Sequence, residues 1–139
     1  MHACAIVHMK GGDVRDVTRL LKALSDESRL RALNLIQQRE CCVCEVMQVL
    51  GISQSKASRI LSALHEAGVL RLRREGRWAY YSMASGVPDH VSQVLNGIEW
   101  FLAADPEARE DLERLKKADR LGSTCSVQTC RTDALAAEG

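Results

Sequence analysis

Apolar residues recur at helical spacing along the N-terminal part of the chain. Val14, Val17, Leu20, Leu21 and Leu24 share one face behind Asp13, whose carboxylate suits an N-cap. Leu30, Leu33 and Ile36 form a second stripe behind Ser25, read as the next N-cap. Asp26 and Glu27 fall in the first turn of that second helix, where the helix dipole favours negative charge, and Gln37, Gln38 and Arg39 lead out of it. A short third helix is expected from Cys44 to Leu50, stopped by Gly51. Ser53 caps a fourth that turns Ala57, Ile60, Leu61 and Leu64 inward and ends at Gly68.

The period then changes from helical to alternating. From Val69 to Arg73 apolar and basic residues alternate, Glu75 and Gly76 supply a two-residue turn, and Trp78 to Met83 returns as a second strand. Pro88 opens a fifth helix with Val91, Val94, Leu95, Ile98 and Leu102 as its stripe. A sixth is expected from Pro106 to Leu121, with Leu112 and Leu115 inward. Two short helices joined by a glycine turn, followed by a hairpin, form a winged helix-turn-helix. The fold expected is mainly α (α+β), with a two-stranded wing and terminal dimerisation helices. Residues 1–12 read as an N-terminal arm, 13–105 as the DNA-binding and dimerisation domain, and 106–139 as a C-terminal helix and a cysteine-containing arm. Strong apolar faces on the terminal helices point to a homodimer, which matches the two-fold symmetry of an inverted-repeat operator.

Charge sharpens this picture. The net charge is only +1, but between Ser53 and Arg77 the cations Lys56, Arg59, Arg71, Arg73, Arg74 and Arg77 face only Glu66 and Glu75, whereas Glu99 to Glu113 is dominated by acids. The basic stretch coincides with the second helix of the motif and the wing, so double-stranded DNA is the expected partner. At the start of that helix Gln54 suits adenine and Arg59 suits guanine in the major groove. Ser53, Ser55, Lys56 and Ser58 are placed for phosphates or nearby base edges, and Arg74 and Arg77 for flanking phosphate or the minor groove. Trp78, Tyr80 and Tyr81 are read as packing residues, and His65 as structural.

The 139 residues suffice for one core, which must be aliphatic because only 4% are aromatic. No apolar run approaches membrane-spanning length and the start has no export-signal layout, so a cytoplasmic location and no membrane partner are expected. Six cysteines in such a chain stay reduced and point to metal or redox chemistry. A thiol enzyme is disfavoured, since no cysteine lies in a Cys-x-x-Cys active-site context with a strand before it, and the recognition helix would be unexplained.

The runs LKALSDESRLRAL (21–33), ECCVCEV (40–46), SQSKASRILSALHEAGVL (53–70) and RREGRWAYYSM (73–83) resemble consecutive motifs of the ArsR/SmtB family of winged-helix repressors, in order. ECCVCEV is similar to the family's thiolate box ELCVCDL, with Cys42 and Cys44 on its paired cysteines. The resemblance implies a dimeric repressor of a resistance or efflux operon that releases its operator when an ion binds. Met47 stands where the arsenic-responsive branch, typified by CVCDLC, has a third cysteine, so a third thiolate must come from elsewhere. Cys41 is the first choice, three residues before Cys44. Cys4 of the other subunit, as in the family's cadmium and lead sensors, and Cys125 or Cys130, as in relatives with C-terminal arsenic ligands, remain open. His90 alone between Asp89 and Ala104 does not make the His and carboxylate zinc site of another branch.

Soft thiolates select As(III) or Sb(III), with Cd(II), Pb(II) or Zn(II) as alternatives. Residues two apart on a regular helix point to nearly opposite sides, so an ion held by Cys42 and Cys44 is expected to distort the start of the third helix, and this distortion is the expected switch. A repressor sensing thiol oxidation or persulfide is the competing reading of the same fold, and it needs an arm cysteine paired with a core one.

Overall fold

The computed structural model describes residues 13–118. Cys4, Cys125, Cys130, His2 and His8 lie outside the described residues. The elements run α1 Val14–Leu24, α2 Glu27–Gln38, β1 Cys41–Cys42, α3 Val43–Leu50, α4 Gln54–Glu66, β2 Leu70–Glu75, β3 Trp78–Met83, α5 Asp89–Leu102 and α6 Pro106–Lys117. The fold is the expected winged helix-turn-helix, mainly helical with a β wing. Leu33, Leu35, Val46, Leu61, Leu64, Val69 and Val91 form its buried centre, so every helix of the motif contributes to one aliphatic core.

Caps account for most of the boundaries. Asp13 caps α1 by accepting the Arg15 N–H at 2.8 Å. Ser25 does not cap α2: its own N–H closes α1 on the Lys22 carbonyl, so the role passes to Asp26, which accepts the Arg29 N–H at 3.1 Å. The motif's turn depends on Gly51, whose φ of 65° lets its N–H close α3 on the Met47 carbonyl at 2.9 Å. Ser53 then caps α4 by accepting the Lys56 N–H at 3.2 Å, and Ala57, Ile60, Leu61 and Leu64 point inward as the periodicity requires. Pro88 stands just outside α5 as its N-cap rather than within the first turn. The last helix stops at Lys117, short of Leu121, because Ala118 takes an extended backbone conformation.

The sheet departs from the expected hairpin in two ways. Glu75 pairs with Trp78, so the tight turn is Gly76–Arg77 rather than Glu75–Gly76. Only glycine supplies the positive φ, 63° here, at the first of those two positions without strain. The second departure is β1, a third strand that makes the order β1-β3-β2, all antiparallel, with Cys41 opposite Tyr81 and Cys42 opposite Tyr80. The cysteine pair is therefore an edge of the wing's own sheet.

Helix α6 is pinned along α2 by polar contacts. Arg31 forks onto the fully buried Asp111 at 2.8 and 2.9 Å, Asn34 donates to the Ala108 carbonyl at 3.1 Å, and Arg39 donates to the Leu115 carbonyl at 3.3 Å. Asp111 in turn raises the Arg31 pKa by hydrogen bonding to the guanidinium. Among the described residues no helix is long and apolar enough to cross a membrane.

Candidate functional site

The sulfurs are positioned by the junction between β1 and α3. Strand alternation sends Cys41 and Cys42 to opposite sides. Cys41 enters the main core with Tyr81, fully buried, and its thiol donates to the Arg39 carbonyl at 3.4 Å. Cys42 turns the other way and packs with Cys44, Met47, Trp78 and Tyr80 in a separate small cluster. The expectation that Cys42 and Cys44 stand on opposite sides of a helix is corrected on this point. Cys42 precedes α3 as its N-cap, with extended backbone (φ −95°, ψ 168°), so the two sulfurs share a side without any unwinding. Cys41, the first choice for a third thiolate, is not brought to this pair. Among the described residues no three His, Cys, Asp or Glu side chains gather as a metal-binding group. Cys41 and Cys42 form no disulfide, whereas Cys44 is disulfide-bonded.

The junction is held by a residue that the sequence reading passed over. Glu45 is fully buried; its Oε1 accepts the Cys42 N–H at 2.9 Å, and the Cys42 sulfur faces the Glu45 N–H in return. Its Oε2 lies 2.7 Å from Arg39 Nη1. This is a capping box with cysteine in the place usually taken by serine or threonine, and the Cys-x-x-Glu spacing from 42 to 45 was its signal. Burial pushes the Cys42 thiol above its ordinary pKa, a shift opposed by the Glu45 N–H.

A second clamp joins the junction to the wing. Arg73 of β2 forks onto Glu40 at 3.0 and 2.8 Å, pairs with Glu75, and lies 4.5 Å from the centroid of the Tyr80 ring. Its charge, raised in pKa chiefly by Glu40, is committed to this contact, which leaves Arg74 and Arg77 as the exposed cations at the wing tip.

The positions expected to touch DNA lie close to the same place. Along the outer face of α4, Lys56 and Arg59 are exposed, while Ser53, Gln54, Ser55 and Ser58 are half-buried. Gln54 Nε2 donates to Ser58 Oγ at 3.0 Å, which holds the amide along the helix surface. A groove of about 310 Å³ is lined by Cys42 and Cys44, by Gln54 and Ser58 of α4, and by Arg74, Arg77 and Trp78 of the wing. His65 is structural, as expected: its Nδ1 lies 3.0 Å from the Leu70 carbonyl, and its ring meets Tyr81 edge-on.

A model of bacterial regulatory proteins of the arsR family matches residues 26–71, from the start of α2 into β2. The arsenic resistance transcriptional regulator ArsR1 of Pseudomonas putida is 40% identical over 98 residues, which span 68% of this chain and 77% of that protein. The chain belongs to the arsR family of bacterial regulatory proteins. This arsR-family chain is also similar to the cadmium resistance transcriptional regulatory protein CadC homolog of Staphylococcus aureus, 37% identical over 81 residues, 58% of this chain and 64% of that one. Among solved structures, the homodimeric winged helix-turn-helix DNA-binding domain from Mycobacterium bovis superposes with a TM-score of 0.56 at 28% identity, covering 70% of this chain and 94% of that one. Family and fold are those of DNA-binding transcriptional regulators, not of enzymes. In this arsR-family fold the residues that could hold a soft ion and those that could touch DNA meet in one groove.

Proposed function

We propose that this protein is a cytoplasmic, homodimeric repressor that leaves an inverted-repeat operator when Cys42 and Cys44 capture a soft ion, As(III) or Sb(III) before Cd(II), Pb(II) or Zn(II). The observation that carries this reading is the shared groove: the two sulfurs line the same space as Gln54, Ser58, Arg74 and Arg77. The donor set fits a soft acceptor, because two sulfurs and the Met47 thioether cluster there, and Glu45, the buried carboxylate nearby, is already committed to the Cys42 N–H and to Arg39. Bound there, the ion would supply bonds to sulfur that draw its ligands together. A third thiolate, from Cys4, Cys125 or Cys130, would complete a trigonal set.

Release follows from what the thiols already hold. Cys42 caps α3 through its sulfur and pairs through its backbone with β3. When its sulfur binds an ion, the Glu45 N–H loses its acceptor, the capping turn loosens, and β1 pulls on the wing through Tyr80 and the Glu40–Arg73 clamp. Arg74 and Arg77 then lose register with the α4 side chains Gln54 and Arg59. A coupling of about 1–3 kcal/mol between two such sites changes DNA affinity by about 5- to 150-fold.

The dimer is supported by apolar surface on the terminal helices. Val14, Leu21, Val94, Trp100 and Phe101 are exposed, and Leu21 and Phe101 line one shallow depression with Leu24, Leu30, Ile98 and Leu102 between α1 and α5. Covering that strip with a second copy places two α4 helices for two operator half-sites.

The disulfide at Cys44 favours a second reading, in which thiol oxidation rather than an ion is the signal. One experiment separates the two. An operator duplex is selected from a random pool by the reduced protein, then the complex is titrated with arsenite, antimonite, cadmium, lead and zinc, and separately with a mild oxidant. Ion-driven release under reducing conditions supports the first reading; release by oxidant alone replaces it with the second.

A further inference from the structure

A second cavity stands apart from the sulfurs, between α2, α5 and α6. It holds about 590 Å³, within the ~300–1,000 Å³ of small-molecule pockets. Ala103, Leu112 and Leu115 give it an apolar lining. Arg109, Leu112, Glu113 and Lys116 fall at i, i+3, i+4 and i+7 of α6, so one face of that helix turns to the cavity.

The charges around it favour an anion. Arg39, Arg109 and Lys116 line the cavity against Glu99 and Glu113, and both acids already have partners: Lys116 Nζ lies 3.1 Å from Glu113, and Gln38 donates to Glu99 at 3.4 Å. Arg39 carries the argument further. Its Nη1 lies 2.7 Å from Glu45 Oε2, while its Nη2 donates at 3.3 Å to the neutral carbonyl of Leu115, itself a lining residue. A carboxylate in the cavity offers Nη2 a charge-assisted bond, roughly twice as strong as that neutral one.

We propose that this cavity is an effector site for a small amphipathic carboxylate, whose head takes the Arg39 guanidinium from the Leu115 carbonyl and whose apolar body lies on Leu112 and Leu115. Arg109 and Lys116 add favourable potential for the head. The message travels through Arg39. Drawing its guanidinium toward the cavity weakens its contact with the fully buried Glu45, the carboxylate that accepts the Cys42 N–H. A buried charge that loses its partner is unfavourable, so the ligand favours an open junction over a closed one. The site itself is independent of the ion-sensing reading; its effect on DNA rests on the release route proposed above.

The test uses the full-length reduced protein and its selected duplex. Calorimetric titration measures the binding of octanoate, benzoate and indole-3-acetate, with octylamine as a control of opposite charge, to the parent, Arg109→Glu, Ala103→Trp and Glu45→Gln. Fluorescence anisotropy of labelled DNA gives operator affinity with and without each carboxylate. At least one carboxylate should saturate the parent, and octylamine should not bind. Arg109 and Ala103 are both exposed; Arg109→Glu should weaken the binding about 10-fold, and Ala103→Trp, which fills the cavity, should abolish it. Bound carboxylate should lower the parent's operator affinity about 5- to 10-fold. Glu45→Gln keeps the acceptor of the capping box but not the charge that holds Arg39, so it should bind the carboxylate while its operator affinity no longer responds. No saturable binding of any of the three, or binding indifferent to both Arg109→Glu and Ala103→Trp, overturns the site. Binding that leaves operator affinity unchanged, or a response that survives in Glu45→Gln, overturns the effector role through Arg39. The parent's response to arsenite, measured on the same duplex, reads ion sensing separately.

Discussion

Cys42 and Glu45 cap one another: the Glu45 carboxylate accepts the Cys42 N–H at 2.9 Å while the Cys42 sulfur faces the Glu45 N–H. A thiol is a weak acceptor, so this box is a poorer cap than its serine counterpart and easier to open. That suits the role proposed for Cys42, which holds a helix start and would give up its sulfur to an ion.

Replacing Glu45 with alanine should cost about 1–3 kcal/mol of folding stability, because it strips a partner from a buried N–H and from Arg39. Urea unfolding of the reduced protein measures this. A change below ~0.5 kcal/mol would show that the junction does not depend on the carboxylate.

Arg59→Ala should weaken operator binding by about 1–3 kcal/mol and relax preference at one base pair, as expected of a side chain reading a base edge. Arg77→Ala should instead weaken binding to all sequences alike and reduce the salt slope by about 1. Binding to a panel of single-base operator variants at several salt concentrations distinguishes the two patterns.

The helices, the motif and the wing were legible in the chain because each carries its own period and its own stop. The stripe Ala57, Ile60, Leu61 and Leu64 and the glycine at 51 left little freedom. The junction at Cys41 and Cys42 was not legible as a strand, because a two-residue edge has no period of its own and exists only by pairing with Tyr80 and Tyr81. Reading those residues as helical put Cys42 and Cys44 on opposite sides and Cys41 beside Cys44; a single extended residue reverses both conclusions. The same limit applies to Glu40 and Arg73, which meet across 33 positions. In the sequence, Arg73 is one more wing cation.

Asp111 is fully buried between Arg31 and Arg114, which approaches it at 2.6 Å. Asp111→Ala leaves Arg31 with a partly buried guanidinium and no fork, and should lower stability by about 3–5 kcal/mol, the usual loss when one member of a buried pair is removed. Thermal melts read this directly, and a loss below ~1 kcal/mol would mean that α6 is held by its apolar contacts alone.

Phe101 is 73% exposed on the strip assigned to the dimer. Phe101→Glu should give a monomer in sedimentation experiments, with the melting temperature extrapolated to low protein concentration little changed, and should weaken binding to a two-half-site duplex far more than to a single half-site. A dimer that survives this substitution would move the interface elsewhere.

The central claim is that the sulfur of Cys42 connects ion capture to the DNA face. Its most direct test is arsenite-driven release of operator DNA from the reduced protein and from Cys42→Ser, measured side by side. The account predicts that both bind DNA with the same affinity and that only the parent lets go. Release from Cys42→Ser at the parent's arsenite concentration would contradict it.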